Sequence, residues 1–315
     1  MRWTSLDDVA AWTELTNELA RFDDTDEFYD EEDLAEELTE DGVDPARDLM
    51  AVWDGDQLVA YGQVRVRGID SQGFVGATLS GGVRPSHRGR GIGRELIARE
   101  EERAVHLARS RFPGVDIRLK AEGLTDGASV RPLLEHRGYR PVRYFTQMQI
   151  TDLQDQDLPA PGGITRPLDL TDAGLVEQVR LAHCEAFADH WGSAPPTAQQ
   201  WADRMGSRSL RPEQSSLVVA HDGTVNAYVI SESWVAGELY IGSVGTRRAA
   251  RGRGLARLAL LATLVAAKQA HYAVADLHVD SENPTGALGL YEGLGFRARR
   301  VFAAYAKDLP ANTVG

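Results

Sequence analysis

The feature that most constrains the fold is a short basic, glycine-rich turn that occurs twice. Its first copy is residues 88–93, RGRGIG, and its second is residues 251–256, RGRGLA, about half of the 315-residue chain further on. Each copy follows an apolar run and precedes a segment whose apolar residues recur with helical period. A repeat at this distance indicates a duplicated domain, and each half is long enough to bury a core.

The turns are predicted to bind a phosphate or pyrophosphate. Each turn lies where the first N–H groups of a helix have no partner within the helix, at the positive end of the helix dipole. Glycine lets an anion approach the backbone, and arginine adds positive charge. The spacing matches neither a P-loop nor the GxGxxG turn of dinucleotide-binding folds. An ordinary helix start is the alternative that one copy alone would leave open.

The run RxxGxG/A between a strand and a helix resembles motif A of the GNAT superfamily, the acyl-coenzyme A dependent N-acetyltransferases. The segment 283–296, NPTGALGLYEGLGF, resembles motif B of the same superfamily. The resemblance implies acetyl-coenzyme A (acetyl-CoA) as cofactor, with both turns holding its pyrophosphate. The implied contacts are Arg88, Gly89, Arg90, Gly91, Ile92 and Gly93 in the first copy and Arg251, Gly252, Arg253, Gly254, Leu255 and Ala256 in the second.

The resemblance covers nearly the whole chain and implies an α+β fold of two tandem GNAT domains. Each domain is expected to be a mostly antiparallel, twisted sheet flanked by helices. The Pro- and Gly-containing run 151–163 is typical of a linker, so the predicted domains are residues 1–150 and 164–315. Apolar residues at helical spacing predict a first helix within residues 1–22, with Ser5 as its cap.

Composition limits the classes of partner. A formal net charge of −13 disfavours binding to nucleic acid and suits a cationic amine substrate. The single cysteine, Cys184, excludes an intrachain disulfide and is typical of a reducing cytoplasm. Neither a signal-peptide pattern nor an apolar run of about 18 residues is present, which predicts a soluble protein without membrane contact.

Acetyl transfer to an amine needs a proton acceptor for the amine, donors to the acetyl oxygen and a proton for the departing thiolate. By resemblance, Tyr291 supplies that proton, while the backbone at Val244, Gly245 and Thr246 contacts the acetyl group. Asn283 is the implied contact to the pantetheine arm. A core role for Tyr291 and a helix-capping role for Asn283 stay open.

The second half is predicted to be catalytic, because alignment of the two copies places Leu134 opposite Tyr291. Glu238 is the predicted base, since it resembles the strand glutamate of mycothiol synthases, which are also tandem GNAT proteins. Its spacing to the turn is two residues longer here, which keeps the same strand face if no bulge intervenes.

The segment Asp189, His190 and Trp191 is the predicted substrate contact. This segment and the pair His278 and Asp280 are secondary candidates for the base, after Glu238. No metal site is expected. Together, these features predict an N-acetyltransferase that acts on a primary amine of a small molecule. The amine is expected to attack directly in a ternary complex, and the protein is expected to be a monomer or homodimer. Acetylation of a cysteinyl sugar amine, as by mycothiol synthase, and acyl-CoA sensing without turnover are the alternatives.

Overall fold

The computed structural model describes residues 2–125, 129–162, 164–282 and 286–311. The chain forms two compact units, one of Met1–Tyr144 with Phe302–Gly315 and the other of Phe145–Val301. These units differ from the two consecutive halves predicted above, because the closing strand of each half extends into the other unit. The halves 1–150 and 164–315 stay a prediction about domains.

The secondary structure is a mixture of strands and helices, as the α+β prediction requires. The strands are β1 (Arg2–Ser5), β2 (Leu49–Asp54), β3 (Gln57–Ile69), β4 (Val75–Val83), β5 (Ile117–Leu124), β6 (Arg140–Ile150), β7 (Thr165–Pro167), β8 (Ser216–Val219), β9 (Val225–Glu232), β10 (Glu238–Thr246), β11 (Val274–Asp280) and β12 (Arg297–Leu309). The helices are α1 (Val9–Asp23), α2 (Glu31–Glu37), α3 (Pro45–Asp48), α4 (Ile92–Arg111), α5 (Arg131–His136), α6 (Ala173–Ala186), α7 (Ala198–Gly206), α8 (Leu255–Gln269) and α9 (Ala287–Glu292).

The two units repeat one topology. The strand order is β1-β2-β3-β4-β5-β12 in the first unit and β6-β11-β10-β9-β8-β7 in the second. Within each unit the described neighbours are antiparallel except for one parallel pair, β4 with β5 and β10 with β11. A long helix, α4 or α8, connects the two parallel strands, as a parallel pair requires. Each glycine-rich turn lies between the first of these strands and the helix.

The predicted start of the first helix is wrong. Residues Arg2–Ser5 form β1, which pairs with β2, and α1 begins only at Val9. Asp8 caps this helix, since its Oδ1 accepts a hydrogen bond of 3.0 Å from the backbone N–H of Ala11. Ser5 therefore belongs to a strand, because pairing with a distant segment outweighs local capping preference.

The sheet of the second unit has a different cover on each face. The apolar side of α8 packs on one face, in a cluster that includes Leu260 and Leu264 with Ile241 and Leu277 of the sheet. Helices α6 and α7 pack on β8 and β9 through a second cluster. Because side chains alternate along a strand, the residues between these apolar positions on β10 and β11 lie on the face opposite α8. The described residues include no helix long and apolar enough to cross a membrane.

Candidate active site

The turn of the second unit holds its backbone open at the start of α8. After β10 ends at Thr246, a short 3-10 turn, Arg248–Ala250, leads to Gly252 and Gly254, whose φ angles are +73° and +72°. Side chains other than glycine are strained in this left-handed region. Gly254 is the N-cap of α8, and no side chain in the described chain caps it. A Cβ atom at either glycine would meet no atom of the described residues within 4 Å, so this part of the chain leaves the space above the turn open.

Positive charge surrounds this open helix start. Arg251, Arg253 and Arg257 are exposed, and the described first turn of α8 has no carboxylate. Arg251 donates two long hydrogen bonds of 3.4 Å to the carbonyl oxygens of Thr246 and Ala186. These contacts are weak, so an anion can replace them at small cost. The residues present therefore fit the diphosphate of coenzyme A.

The turn of the first unit has the same backbone and different electrostatics. Gly89 and Gly91 have φ angles of +76° and +85°, and Gly91 is the N-cap of α4. Arg88, however, donates to both oxygens of Asp23, at 2.7 and 2.5 Å. The first turn of α4 also carries a carboxylate, Glu95, which pairs with a helix arginine. The predicted guanidinium contact of this turn is therefore already engaged by protein.

The residues that follow the glycines were predicted to bind through their backbone amides. Ile92 and Leu255 begin the two helices, and both side chains are buried in the cores. Gly93 and Ala256 occupy the next position, where a Cβ at Gly93 would lie 3.4 Å from Leu133, an ordinary contact. Arg90 donates to the carbonyl of Ser86 at 3.0 Å. The predicted contacts through these amides stay predictions.

Sequence reasoning missed one arginine in each unit that fastens the turn to its surroundings. Arg84 donates through Nε to the carbonyl of Leu58 at 3.1 Å, and Arg247 donates likewise to Val225 at 2.9 Å. The remaining nitrogens of Arg247 reach the first helix of the unit, where Nη1 lies 2.9 Å from Glu185. The sequence did contain a signal for this role, because an arginine directly follows the strand that enters the turn in both copies.

Strands β10 and β11 diverge ahead of the turn. Their parallel pairing extends to Tyr240 opposite Asp276, and the rest of β10 pairs with β9 alone within the described register. A bulge at Gly242 interrupts the ladder between β9 and β10. Val244 and Gly245 lie beyond it, on the diverging part of the strand. Their backbone groups therefore border an opening in the sheet, which is where the acetyl group was predicted to bind.

The backbone at Gly245 is held by a buried aromatic pair. A Cβ at Gly245 would collide with the ring of Tyr228, so only glycine fits against it. The Tyr228 hydroxyl lies 2.8 Å from Nδ1 of His183, and burial lowers the pKa of His183 to about 4. His183 is therefore neutral near pH 7, and it supports Gly245 through Tyr228. Sequence reasoning gave no role to either aromatic residue.

Tyr291 lies on α9, in the same hydrophobic cluster as Leu255 at the start of α8. It is 8% exposed, and burial raises the pKa of Tyr291 to about 12. Its ring meets Phe296 edge to face, with centroids 5.9 Å apart. The phenol is therefore protonated at neutral pH, as a proton donor must be. Leu134 of the first unit is fully buried, and Asn283 lies outside the described residues.

Glu238 begins β10 and is half-buried, on the same face as Tyr240. Glu238 was predicted to lie on the same strand face as the mycothiol synthase glutamate if no bulge intervened. A bulge at Gly242 does lie between Glu238 and the turn, so this condition is not met. The bulge is packed by Glu232, whose carboxylate a Cβ at Gly242 would strike. Arg204 donates to Oε1 of Glu232 at 2.8 Å. The role of Glu238 as base stays a prediction.

The predicted substrate segment lies directly after α6. Asp189 is strongly exposed and pairs with Arg248 of the 3-10 turn at 2.6 Å. The ring of His190 lies 5.1 Å from that of Phe187, and Trp191 is half-buried. The structure thus brings Asp189 to the edge of the turn, while substrate contact by these three residues stays a prediction.

Comparison with known proteins agrees with this geometry. The sequence profile of the acetyltransferase (GNAT) family matches residues 9–139 and 176–296. A mycothiol acetyltransferase of Kineococcus radiotolerans is 32% identical over 287 residues, which cover 87% of this chain and 88% of that protein. A mycothiol acetyltransferase of Nocardia farcinica is 29% identical over 279 residues, covering 84% and 83%.

Solved structures are similar along almost the full chain. A GCN5-related N-acetyltransferase from Sphaerobacter thermophilus superimposes with a TM-score of 0.76 at 26% identity, covering 98% of this chain and 96% of that one. A tandem GNAT protein from the clavulanic acid biosynthesis pathway has a TM-score of 0.71 at 19% identity, with 98% of both chains covered. The second likeness concerns the fold alone.

Proposed function

Because the chain belongs to the acetyltransferase (GNAT) family, we propose that its second unit transfers the acetyl group of acetyl-CoA to a primary amine of a small molecule. The observation that carries this proposal is the open start of α8, where Gly252 and Gly254 leave helix amides accessible beside Arg251 and Arg253. Transfer is direct, within a ternary complex of enzyme, acetyl-CoA and amine.

The cofactor supplies an acetyl group activated as a thioester and a thiolate as leaving group. The amides from Gly252 to Ala256 would hold its diphosphate, and Arg251, whose two carbonyl contacts are weak, would be available to the phosphate oxygens. The opening between β10 and β11 admits the acetyl end, and the backbone at Val244 and Gly245 donates to the acetyl oxygen.

Tyr291 is the proposed acid. Its burial keeps the proton on the phenol at neutral pH, and it packs in the same cluster as the start of α8, which supports this role if the cofactor binds on that side of the sheet as proposed. The first unit has Leu134 at the aligned position and so lacks this donor. The base must stand on the acceptor side, where Glu238 is the candidate that the sequence predicted.

An amine acceptor suits the charge of the protein. The net charge of −13 attracts a cationic small molecule and repels nucleic acid. Asp189 of the proposed acceptor segment lies at the edge of the turn, where it already holds a cation, Arg248. A cytoplasmic location and a monomeric or homodimeric state complete the proposal.

A cysteinyl sugar amine is the second candidate acceptor. It is favoured by the similarity to mycothiol acetyltransferases, which extends over more than four fifths of both sequences. A broad class of small amines is compatible with the same machinery, because acceptor specificity depends on loops that vary between proteins of one fold.

The experiment is a thiol-release assay of the full chain with acetyl-CoA and a panel of primary amines, including a cysteinyl glucosamine, glucosamine and simple alkylamines. We expect amine-dependent release of coenzyme A and an acetylated product of matching amount. A protein that binds acetyl-CoA in calorimetry and releases no thiol with any amine would instead be a sensor.

A further inference from the structure

One face of the sheet in the second unit is unlike the other. On the α8 side, β11 contributes Ala275, Leu277 and Val279 to the core cluster. On the opposite side the same strand presents Asp276 and His278. Tyr240 of β10 joins them, with its ring edge to face with that of His278 at 5.9 Å between centroids. This face carries polar and aromatic groups beside the opening in the sheet.

The position of each candidate base along the strands can be compared through the register. In the pairing of β10 with β9, Tyr240 lies opposite Glu232 and Val244 lies opposite Val229. The two β9 partners are three residues apart, so Val244 of the proposed acetyl-binding backbone lies about 10 Å beyond Tyr240 along the strand. Glu238 lies two residues on the other side of Tyr240 and is therefore about 17 Å from Val244 along the strand. A base needs to approach within about 3 Å of the proton, directly or through one water.

His278 is much better placed. Asp276 pairs with Tyr240, and β11 runs parallel to β10, so His278 lies two residues, about 7 Å, toward the acetyl-binding backbone. It stands at the point where the two strands have begun to diverge. Its side chain is exposed by surface area, although protein surrounds the ring closely enough to change its titration. This combination is expected for a side chain on the wall of a cleft.

We infer that His278 takes the proton from the acceptor amine. The inference rests on the proposed acetyl transfer and replaces Glu238 as the base. His278 accepts the proton that the amine nitrogen loses as it bonds to the acetyl carbon. Tyr291 donates the proton that the sulfur takes up as the carbon–sulfur bond breaks. The resulting imidazolium and phenolate then exchange a proton with water and return to their starting states.

The ionisation of the ring is consistent with this role. Burial lowers the pKa of His278 to about 4, so the imidazole is neutral and can accept a proton at neutral pH. A base of this strength cannot deprotonate a free alkylammonium, whose pKa is near 10. The attacking species is therefore the neutral amine in equilibrium with its ammonium, whose first proton goes to water. His278 takes the second proton once the nitrogen has bonded to the acetyl carbon, because that proton is far more acidic.

Charged and polar groups surround His278 on every neighbouring strand of the unit. Gln147 of β6 is its partner in the antiparallel register, and the Gln147 amide donates to Asp276 at 2.7 Å. Arg300 donates to the oxygen of the same amide at 3.2 Å. The further groups on these strands are Glu238, Tyr240, Gln149, Asp280 and Arg299. Of these groups, His278 and Asp280 lie level with the opening along β11, and Oδ1 of Asp280 already accepts a hydrogen bond of 2.9 Å from the backbone N–H of Glu282.

The two acid–base groups lie on opposite sides of the sheet. Tyr291 packs in the cluster on the α8 side, where the cofactor is proposed to bind, and His278 lies on the face away from α8. In the proposed ternary complex the amine enters from the face away from α8, and the sulfur of acetyl-CoA would lie on the α8 side. The proton acceptor is therefore on the amine side and the proton donor on the sulfur side.

The test compares three variants of the full chain with the amine that is fastest in the panel above. We expect His278→Gln to lower kcat by about 100-fold or more, the usual contribution of a general base, while acetyl-CoA binding is unchanged. Glu238→Gln should change kcat much less. His221→Gln, an exposed histidine of the same unit, is the matched control and should retain full activity.

Two further readouts separate a proton acceptor from a structural residue. Imidazole added to the buffer should restore part of the rate of His278→Ala and none of that of Tyr291→Phe. In histidine-labelled protein, the NMR signal that is lost in His278→Gln should shift when the amine is added with coenzyme A, a mixture that cannot turn over.

The possible failures can be told apart. A His278→Gln enzyme of normal rate beside a strongly impaired Glu238→Gln enzyme would overturn this inference and leave acetyl transfer standing. Wild-type protein that releases no thiol with any amine would overturn the inference and the proposed function together.

Discussion

The two glycine-rich turns of this chain have the same backbone conformation and differ in the contacts that their first arginine makes. In both, a glycine with a φ angle between +70° and +90° caps the helix, and an arginine after the strand binds a carbonyl of the neighbouring hairpin. In the first unit Asp23 binds the guanidinium of Arg88 through two hydrogen bonds. In the second unit the aligned Arg251 has two weak carbonyl contacts.

The glycine-rich motif thus determines the backbone conformation of the turn, whereas the neighbouring side chains determine whether an anion can bind to its amides. A carboxylate at Asp23 competes with a phosphate for the same guanidinium, and Glu95 adds negative charge to the first turn of α4. We therefore expect the second unit to bind acetyl-CoA more tightly than the first. We expect the amides of residues 89–93 to retain only a weaker site.

The largest effect is expected from the acid that one unit has and the other lacks. Tyr291→Phe should lower kcat by about 100- to 1000-fold, because it removes the proton donor, and should leave the Kd for acetyl-CoA within about twofold. Tyr139→Phe of the first unit is the control, since Tyr139 is a buried tyrosine whose aligned residue in the second unit is already a phenylalanine, Phe296. An unchanged rate in Tyr291→Phe would remove this residue from the mechanism.

The second prediction concerns replacement of the glycine that caps each long helix. Gly254→Val and Gly91→Val should each cost about 1–2 kcal/mol of stability, since both positions have left-handed φ angles. Gly254→Val should also weaken acetyl-CoA binding by about 10-fold or more, whereas Gly91→Val should weaken it little. Calorimetric titration of both variants measures this. Equal losses of affinity would end the distinction between the two turns.

The third prediction concerns a buried carboxyl in α4. Burial raises the pKa of Glu100 to about 8, whereas the unfolded chain loses this proton near pH 4.5. The folded state therefore holds more protons between these values, and the free energy of unfolding falls as pH rises, by at most about 1.4 kcal/mol per pH unit. Thr263 stands at the aligned position of α8.

Glu100→Gln should therefore reduce the loss of stability between pH 5 and pH 8, as measured by urea unfolding. It should not abolish the loss, because burial also raises the pKa of Glu37 to about 7. If wild type and variant lost stability in parallel across this range, Glu100 would titrate normally.

The smallest effect is expected from releasing the guanidinium of the first unit. Asp23→Asn should strengthen the weaker acetyl-CoA site by a fewfold, because Arg88 becomes available to the phosphate. Glu185→Gln, which loosens Arg247 in the second unit, is the counterpart and should not strengthen the tight site. Calorimetric stoichiometry and affinity are the readouts, and an unchanged weak site would show that Asp23 does not compete.

The sequence predicts those parts of the molecule that depend on local chemistry. The repeat, the glycine-rich turns and the order of strands and helices follow from periodicity, glycine placement and the resemblance to GNAT proteins. The predicted start of α1 was wrong because residues Arg2–Ser5 form β1 by pairing with β2, a distant segment. Long-range pairing of this kind leaves little trace in a four-residue run.

The arrangement around the opening could not be predicted for the same reason. The bulge at Gly242 depends on how β10 aligns with β9, and it separates Glu238 from the turn. The contact between Gly245 and Tyr228 and the facing of His278 depend on tertiary packing. The two arginines Arg84 and Arg247 were within reach of the sequence, since alignment of the copies places them opposite each other.

The central claim is that the amides at the start of α8 bind the diphosphate of acetyl-CoA. The most direct measurement is a crystal structure of the full chain grown with acetyl-CoA. We expect density for the diphosphate against the backbone from Gly252 to Ala256, with the thioester in the opening between β10 and β11. Density at residues 89–93 and none at this turn, or a start of α8 closed by protein groups, would contradict it.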